Sequence, residues 1–506
     1  MIEPIKKEYL KKLLFALAFI EGGAVMCVEL CSAKILSPYF GTSIYVWASV
    51  LGVTLSALMS GYYLGGYISS NYKKKEIVFM LMLLAGLLVT VTPVISGMIL
   101  PLTIQLDLLS GTIISLLCFL FIPLMLFGAT SPLIINMLTS QAKDSGKISG
   151  NVYSISTLGG IIVTFSIGFY TFPQFGITIT LYVYGLLVIL VSLVLFFVTR
   201  TFKMSSILFI IIAALLLSFQ KGQNNKEVIY RSEGILGEIK VVDRKLTNQN
   251  NNTSKIYREL MVNNISQTVM DKENPNISYW DYVNILTNNI LSYRNGNKAL
   301  LLGLGGGTLY KQLRSNNLQV DVVELDRRIE MLAKSYFQID SDLEVIIDDA
   351  RHYINTTVKK YDIIIYDLYH SETPPIHLLT KEAFQEISNK LTKGGILTIN
   401  FYGFITGSNG KAARSIYKTL MHQNFNVRLI ATPGGEESRN LIFICSKEKF
   451  EKKISTDNKL ISFSDIDFHD ALILTDDKPI LEHMYLQAAI IWRRGYNEIN
   501  TKYFMN

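Results

Sequence analysis

KALLLGLGGGTLYKQLRSNNLQVDVVELD, residues 298–326, decides the fold of the C-terminal half. An apolar run of strand length enters a turn with Gly303, Gly305, Gly306 and Gly307, a short helical stretch follows, and a second apolar run ends in acids. Strand, crossover helix and strand in that order make a parallel pair, because parallel strands cannot be joined by a tight hairpin. The pattern continues. RRIEMLAKSYF (327–337) is helical by period, LEVIIDDA (343–350) reads as a third strand, YDIIIYDLY (361–369) as a fourth, and GGILTINFY (394–402) as a fifth after the helix KEAFQEISNKLTK (381–393). The expectation is an open, mostly parallel, doubly wound α/β sheet of the Rossmann-like kind.

Ligands of such sheets bind at the carboxyl ends of the strands. Gly303, Gly305, Gly306, Gly307, Glu324, Asp326, Asp349 with Asp348 beside it, and Asp367 all fall there. The glycines let backbone approach a ligand closely. Glu324, at the end of the second strand, is placed to accept from ribose hydroxyls. Asp349, with Asp348 beside it, could accept from an adenine amino group. A glycine turn alone suits a nicotinamide dinucleotide equally well, and Asp367 alone could be a plain strand-end cap. The joint pattern points to a nucleoside ligand.

Upstream, EGILGEIKVVD (233–243) and YRELMVNNISQTVM (257–270) have strand character and predict a small β region. The NQNNNTS tract at 248–254 reads as a solvated loop.

The N-terminal half has a different solvent. Residues 1–220 hold 12 Lys/Arg and 7 Asp/Glu of the chain's 48 and 41, and the remainder falls in residues 221–506. Apolar runs near 13–33, 44–70, 77–100, 110–138, 152–172, 177–199 and 204–219 each approach the roughly 20 residues needed to cross about 30 Å of hydrocarbon. Seven helices are expected to span a bilayer, and a wholly soluble protein is excluded. Lysines at 6, 7, 11 and 12 before the first run, and at 73–75 after the second, place the N-terminus in the cytoplasm. Seven crossings would export the second half, a conflict that a miscounted last run would remove; the cytosolic side is favoured because a nucleoside donor is found there. The excess of cations flanks the membrane runs and does not argue for nucleic acid. Four scattered cysteines, with all six histidines after residue 221, give no metal-ligand spacing, and no metal is expected.

Glu21 and Glu29 lie inside the first run, eight residues apart, and project within about 80° of one another on a helix. A carboxylate at that depth calls for a polar pocket or cation pathway, or else an interfacial anchor paired with Lys34. The glycines at 61, 65 and 66, and at 159, 160 and 168, predict close helix packing.

LLLGLGGGTLYKQL, VDVVELDRRI, EVIIDDARHYI, YDIIIYDLYH and LLTKEAFQEISNKL resemble, in order and spacing, the spermidine synthase family of aminopropyltransferases over about residues 230–447. EGGAVMCVELCSAKILSPYFGTS, LFGATSPLI, GNVYSISTLGG and LTDDKPILEHM are similar to bacterial proteins in which a multispanning region is fused to a spermidine synthase-like domain. The resemblance implies that Gly303 to Gly307 and Glu324 hold the nucleoside of decarboxylated S-adenosylmethionine, that Asp349 contacts adenine and that Asp367 is catalytic. Tyr279 and Trp280 match a substrate-gating position loosely. Two departures stand out: Thr308 occupies the place of an aspartate that binds the aminopropyl amine, and His370 that of a second acid. Thr308 then lines the substrate site as a neutral group, and His370 is either a base beside Asp367 or a loop residue. His352 and His377 read as surface residues.

The expected organisation is a helical membrane domain (1–220), a linker with a small β region (221–297) and a nucleoside-binding domain (298–506). The expected protein is a multi-pass plasma-membrane transferase, with no tightly bound cofactor, using decarboxylated S-adenosylmethionine or S-adenosylmethionine as co-substrate and an amine or polyamine as acceptor. Its partners would be the lipid bilayer and a second copy in a homodimer. A methyltransferase, and a polyamine or cation transporter or sensor with a non-catalytic domain, are the alternatives.

Overall fold

The computed structural model describes residues 2–71, 76–139, 141–199, 227–234, 236–247, 254–450, 461 and 466–500. They form two compact units. One holds the N-terminal helices with residues 232–238, and the other holds residues 226–231 and 239–500.

The first unit contains α1 (Ile2–Phe40), α2 (Ile44–Asn71), α3 (Glu76–Thr103), α4 (Leu108–Leu116), α5 (Ile122–Leu138), α6 (Ser145–Ser166) and α7 (Phe172–Val198). Among the described residues, which hold the first six of the seven expected runs, five segments are long and apolar enough to cross a membrane. The expected runs 152–172 and 177–199 fall in one segment of 56 residues, with a π-helical turn at Ile167–Thr171 inside the first of them. Straight, that segment would extend about 84 Å, far more than a bilayer. It does not run straight: Gly176, with φ 74° and ψ −176°, breaks it. Beyond the break the amides of Ile177 and Thr178 donate to the Glu233 carboxylate at 2.7 and 3.1 Å, which caps the restarted helix. The expected run 204–219 lies outside the described residues.

Small residues set the helix spacing. A Cβ on Gly22 would lie 1.9 Å from the Ser156 carbonyl oxygen, and one on Gly159 the same distance from that of Phe19, so α1 and α6 touch backbone to backbone. Gly61 and Gly65 bring α2 close to α5, an added Cβ lying 2.2 Å from the carbonyl oxygens of Met125 and Ala129. Gly66 and Gly168 face open space, contrary to the expectation that they pack.

The second unit begins with a sheet in the order β1 (Val228–Ser232), β2 (Ile239–Thr247), β3 (Ser254–Val262) and β4 (Ile265–Asp271), antiparallel from β2 to β4. The stretch 257–270, read as one strand, is two: Asn263 and Asn264, at φ 49° and 63°, form a tight hairpin turn that asparagine tolerates. A seven-stranded sheet follows: β5 (Lys298–Leu302), β6 (Gln319–Glu324), β7 (Val345–Ile347), β8 (Tyr361–Tyr366), β9 (Leu391–Tyr402), β10 (Asn426–Ala431) and β11 (Asn440–Ser446), in the order β10-β11-β9-β8-β5-β6-β7. The five expected strands are parallel, and β11 and β10 extend the sheet antiparallel. Helices α8 (Asp281–Tyr293), α9 (Thr308–Ser315), α10 (Arg327–Tyr336), α11 (Ala350–Thr356), α12 (Lys381–Lys390), α13 (Lys411–His422) and α14 (Leu481–Asn500) complete the unit.

Alternate residues of β5 and β8 serve two cores. Leu300, Leu302, Ile364 and Tyr366 enter one, and Ala299, Leu301, Ile363 and Ile365 the other. Burial on both faces is why these strands read as unbroken apolar runs. The chain winds from β5 outward to β7, then returns to place β8 on the other side of β5. This reversal opens a crevice beyond the ends of β5 and β8.

Candidate active site

The glycine turn after β5 is shaped by its neighbours. Gly303, Gly305 and Gly307 have φ of 91°, 53° and 76°, conformations that side chains rarely adopt. A Cβ on Gly303 would sit 2.3 Å from the Asp367 carbonyl oxygen, and one on Gly307 2.3 Å from Ile339. Thr268 of β4, which sequence reading missed, accepts from the Gly306 amide at 2.8 Å and ties the small sheet to this turn. Thr308 opens α9. It is 4% exposed, and its Oγ1 has no hydrogen-bond partner among the described residues. A buried hydroxyl without a partner at a helix N-terminus is a group that a ligand could satisfy.

Glu324, at the end of β6, accepts from the Leu304 amide at 2.9 Å and from that of Asp326 at 3.0 Å. Burial pushes its carboxyl up, against these bonds. Each oxygen keeps a further lone pair for a ligand hydroxyl. Asp349 caps α11, accepting from the amides of Arg351 and His352 at 2.9 and 3.1 Å. His377 Nε2 lies 3.3 Å from its other oxygen, and His352 Nδ1 lies 2.7 Å from Asp348. The two histidines read as surface residues therefore flank the acids after β7.

Asp367, immediately after β8, accepts from Asn400 Nδ2 at 2.8 Å and from the Tyr282 hydroxyl at 3.2 Å. Asn440 donates to the Asn400 Oδ1 at 2.8 Å and fixes that amide. Among the described residues no cation pairs with Asp367. Burial raises its carboxyl above the ordinary value, and the two hydrogen bonds pull the other way. Neither Tyr282 nor Asn400 was singled out from the sequence. Tyr282 lies three positions beyond Tyr279, which is half exposed and set against the rings of Tyr257 and Trp280 instead. The Tyr369 hydroxyl accepts from the Tyr402 amide at 2.5 Å. His370 enters a tight turn in which its backbone pairs both ways with Thr373.

The arrangement is a close-approach turn, two strand-end acid positions and, beside them, a carboxylate without a counter-cation. It can cradle a nucleoside and hold the N–H of a neutral amine.

In the first unit Glu21 is buried, accepts from Ser156 Oγ at 2.9 Å and is hydrogen-bonded by Ser131. Glu29 is buried eight residues further along α1, about 12 Å by helical rise, and makes no hydrogen bond or ion pair with a described residue.

Residues 284–451 match the family model of the spermine/spermidine synthase domain. A probable polyamine aminopropyl transferase of Bifidobacterium longum is 31% identical over 128 residues, covering 25% of this chain and 28% of the relative. A polyamine aminopropyltransferase of Methanocaldococcus jannaschii is 27% identical over 180 residues, covering 34% and 57%. An N-terminal histidine N-methyltransferase of Emericella nidulans is 29% identical over 164 residues, covering 30% and 29%. The chain thus spans 28% to 57% of the length of these relatives. Among solved structures, a probable spermidine synthase from Corynebacterium glutamicum aligns with 45% of this chain and 83% of its own at 20% identity and a TM-score of 0.38.

Proposed function

Because residues 284–451 match the family model of the spermine/spermidine synthase domain, we propose that this protein is a membrane-bound transferase that moves an alkyl group from an S-adenosylmethionine-derived sulfonium to an amine. The observation that carries the reading is Asp367, held at the mouth of the β5–β8 crevice by Tyr282 and Asn400 and left without a cation. The glycine turn and Glu324 hold the nucleoside, with Asp349 at the adenine end and Asp348 behind it.

An amine attacks only as the free base. Asp367 accepts one of its N–H bonds and aims the lone pair at the carbon next to sulfur. The N–C bond forms as the C–S bond breaks, sulfur keeps the electron pair and leaves as a neutral thioether, and the surplus proton on nitrogen passes to Asp367 and then to water. His370 is a candidate second base.

The aminopropyl group is the first choice of transferred group, on the family match. Thr308 keeps methyl transfer as a second reading. Its neutral hydroxyl does not offset an ammonium, which suits a donor that retains its own carboxylate. The helical unit anchors the enzyme in the bilayer, with the site in the cytosol.

Calorimetry with decarboxylated S-adenosylmethionine, S-adenosylmethionine and methylthioadenosine, followed by transfer assays with the first two side by side, tests the proposal. Binding of at least one nucleoside and transfer to an amine are expected. Binding of none would overturn it.

A further inference from the structure

The last helix, α14, begins thirty residues beyond the end of the family match at 451, yet it returns to the segment that carries Asp367. Trp492 stacks on Tyr402, ring centroids 4.2 Å apart, and meets Tyr369 edge-on at 5.1 Å. Arg493, 5% exposed, donates to Ser371 Oγ at 2.8 Å and to the Asn263 carbonyl at 3.3 Å, and pairs with the equally buried carboxylate of Glu372.

Ser371 and Glu372 are the tip of the turn that His370 and Thr373 close. Ser371 has a φ of 63°, which costs a non-glycine residue free energy and persists only where the surroundings impose it. Here the surroundings are explicit. Gln267 donates to the Ser371 carbonyl at 3.2 Å, the Ser371 hydroxyl donates to that of Val262 at 3.3 Å, and Arg493 closes the third side. Asp367 itself is tied to the sheet through its own amide, which donates to Leu302, through the contact of its carbonyl with Gly303 and through its side-chain bonds. On one side the course of the backbone just after it is held by α14, through Trp492 at position 369 and Arg493 at 371 and 372.

We infer that Arg493 is a positioning residue for amine transfer, acting through the 370–373 turn to fix Asp367 and His370. The inference rests on the reading of Asp367 given above.

Arg493→Leu, Arg493→Lys and the double variant Arg493→Leu/Glu372→Gln, made in the full-length protein, test it. The double variant leaves no unpaired buried charge if the single one fails to fold. By hydrogen exchange, amides of residues 368–373 should exchange roughly tenfold faster in the leucine variants, with 303–308 unchanged and Arg493→Lys intermediate. In transfer assays the KM for the amine should rise roughly tenfold while donor binding stays within about twofold of wild type. Unchanged exchange at 368–373 in a folded variant would overturn the inference, as would equal losses for donor and amine. If the wild-type protein alkylates no amine, the functional reading fails, and the exchange measurement still decides whether Arg493 sets this turn.

Discussion

Gly303 and Asp367 abut across the point where the sheet reverses direction, with no room between the α-carbon of one and the carbonyl of the other: an added Cβ would stand 2.3 Å from that oxygen. The backbone of the glycine turn and that of Asp367 are therefore one rigid contact.

Gly303→Ala should accordingly harm both stability and ligand binding. The clash and a φ of 91° together should cost about 2–3 kcal/mol. Thermal unfolding with and without methylthioadenosine checks this, and an alanine variant with wild-type stability and affinity would refute the contact.

Asp367→Asn should lower the rate of transfer by roughly 10²–10⁴-fold with nucleoside affinity unchanged. Burial raises this carboxyl, so the acid limb of the pH–rate profile should lie above the ordinary aspartate value of about 4. Tyr282→Phe removes a bond that pulls the value down and should move that limb further up. The stability effect has a fixed sign. A raised carboxyl stabilises the fold below about pH 4 and loses that contribution as pH rises through the folded value, so Asp367→Asn should melt higher than wild type at pH 7.

Lys311 offers a second pH signature. Burial lowers its ammonium from 10.5 to about 8, while it donates to the carbonyls of Pro275 and Phe337 at 2.6 and 3.0 Å. Between those pH values the unfolded chain holds a proton that the folded chain does not. Stability should therefore climb over that interval, and the climb should flatten in Lys311→Met. Melting temperatures at pH 7, 8, 9 and 10 decide the matter.

The helical unit can be tested with glycines alone. Gly22→Ala and Gly159→Ala push a methyl into a carbonyl at 1.9 Å, whereas Gly168→Ala meets nothing within 4 Å. The first two should destabilise the detergent-solubilised protein by about 2 kcal/mol or more, and the third should be neutral. Equal effects from all three would contradict the α1–α6 contact.

Much of this was readable in the sequence for definable reasons. The parallel strands declare themselves because each is buried on two faces, and the strand-end acids because they follow uninterrupted apolar runs. Other features have no local signal. Tyr282, Asn400 and Thr268 reach the site from elements far apart in the chain, so only the fold brings them to Asp367 and Gly306. The hairpin at Asn263–Asn264 was hidden inside an apolar stretch, although paired asparagines are a turn signal. The segment 142–197 reads in the sequence as two apolar runs, and the helix is broken at Gly176, between them.

Glu233 carries a practical lesson. It follows strand β1 in the chain, yet its carboxylate belongs to the helical unit, where it satisfies the amides left open by the break at Gly176. Cutting the gene just after the last apolar run would yield neither half intact: the truncated helices would lose a cap, and the released fragment would carry a stray acidic loop. Because residues 226–231, with most of strand β1, belong to the second unit while 232–238 belong to the first, no single cut between them leaves both units whole. The two halves are interleaved in the chain, and swapping either one for a homologue should succeed only if residues 232–238 travel with the helices.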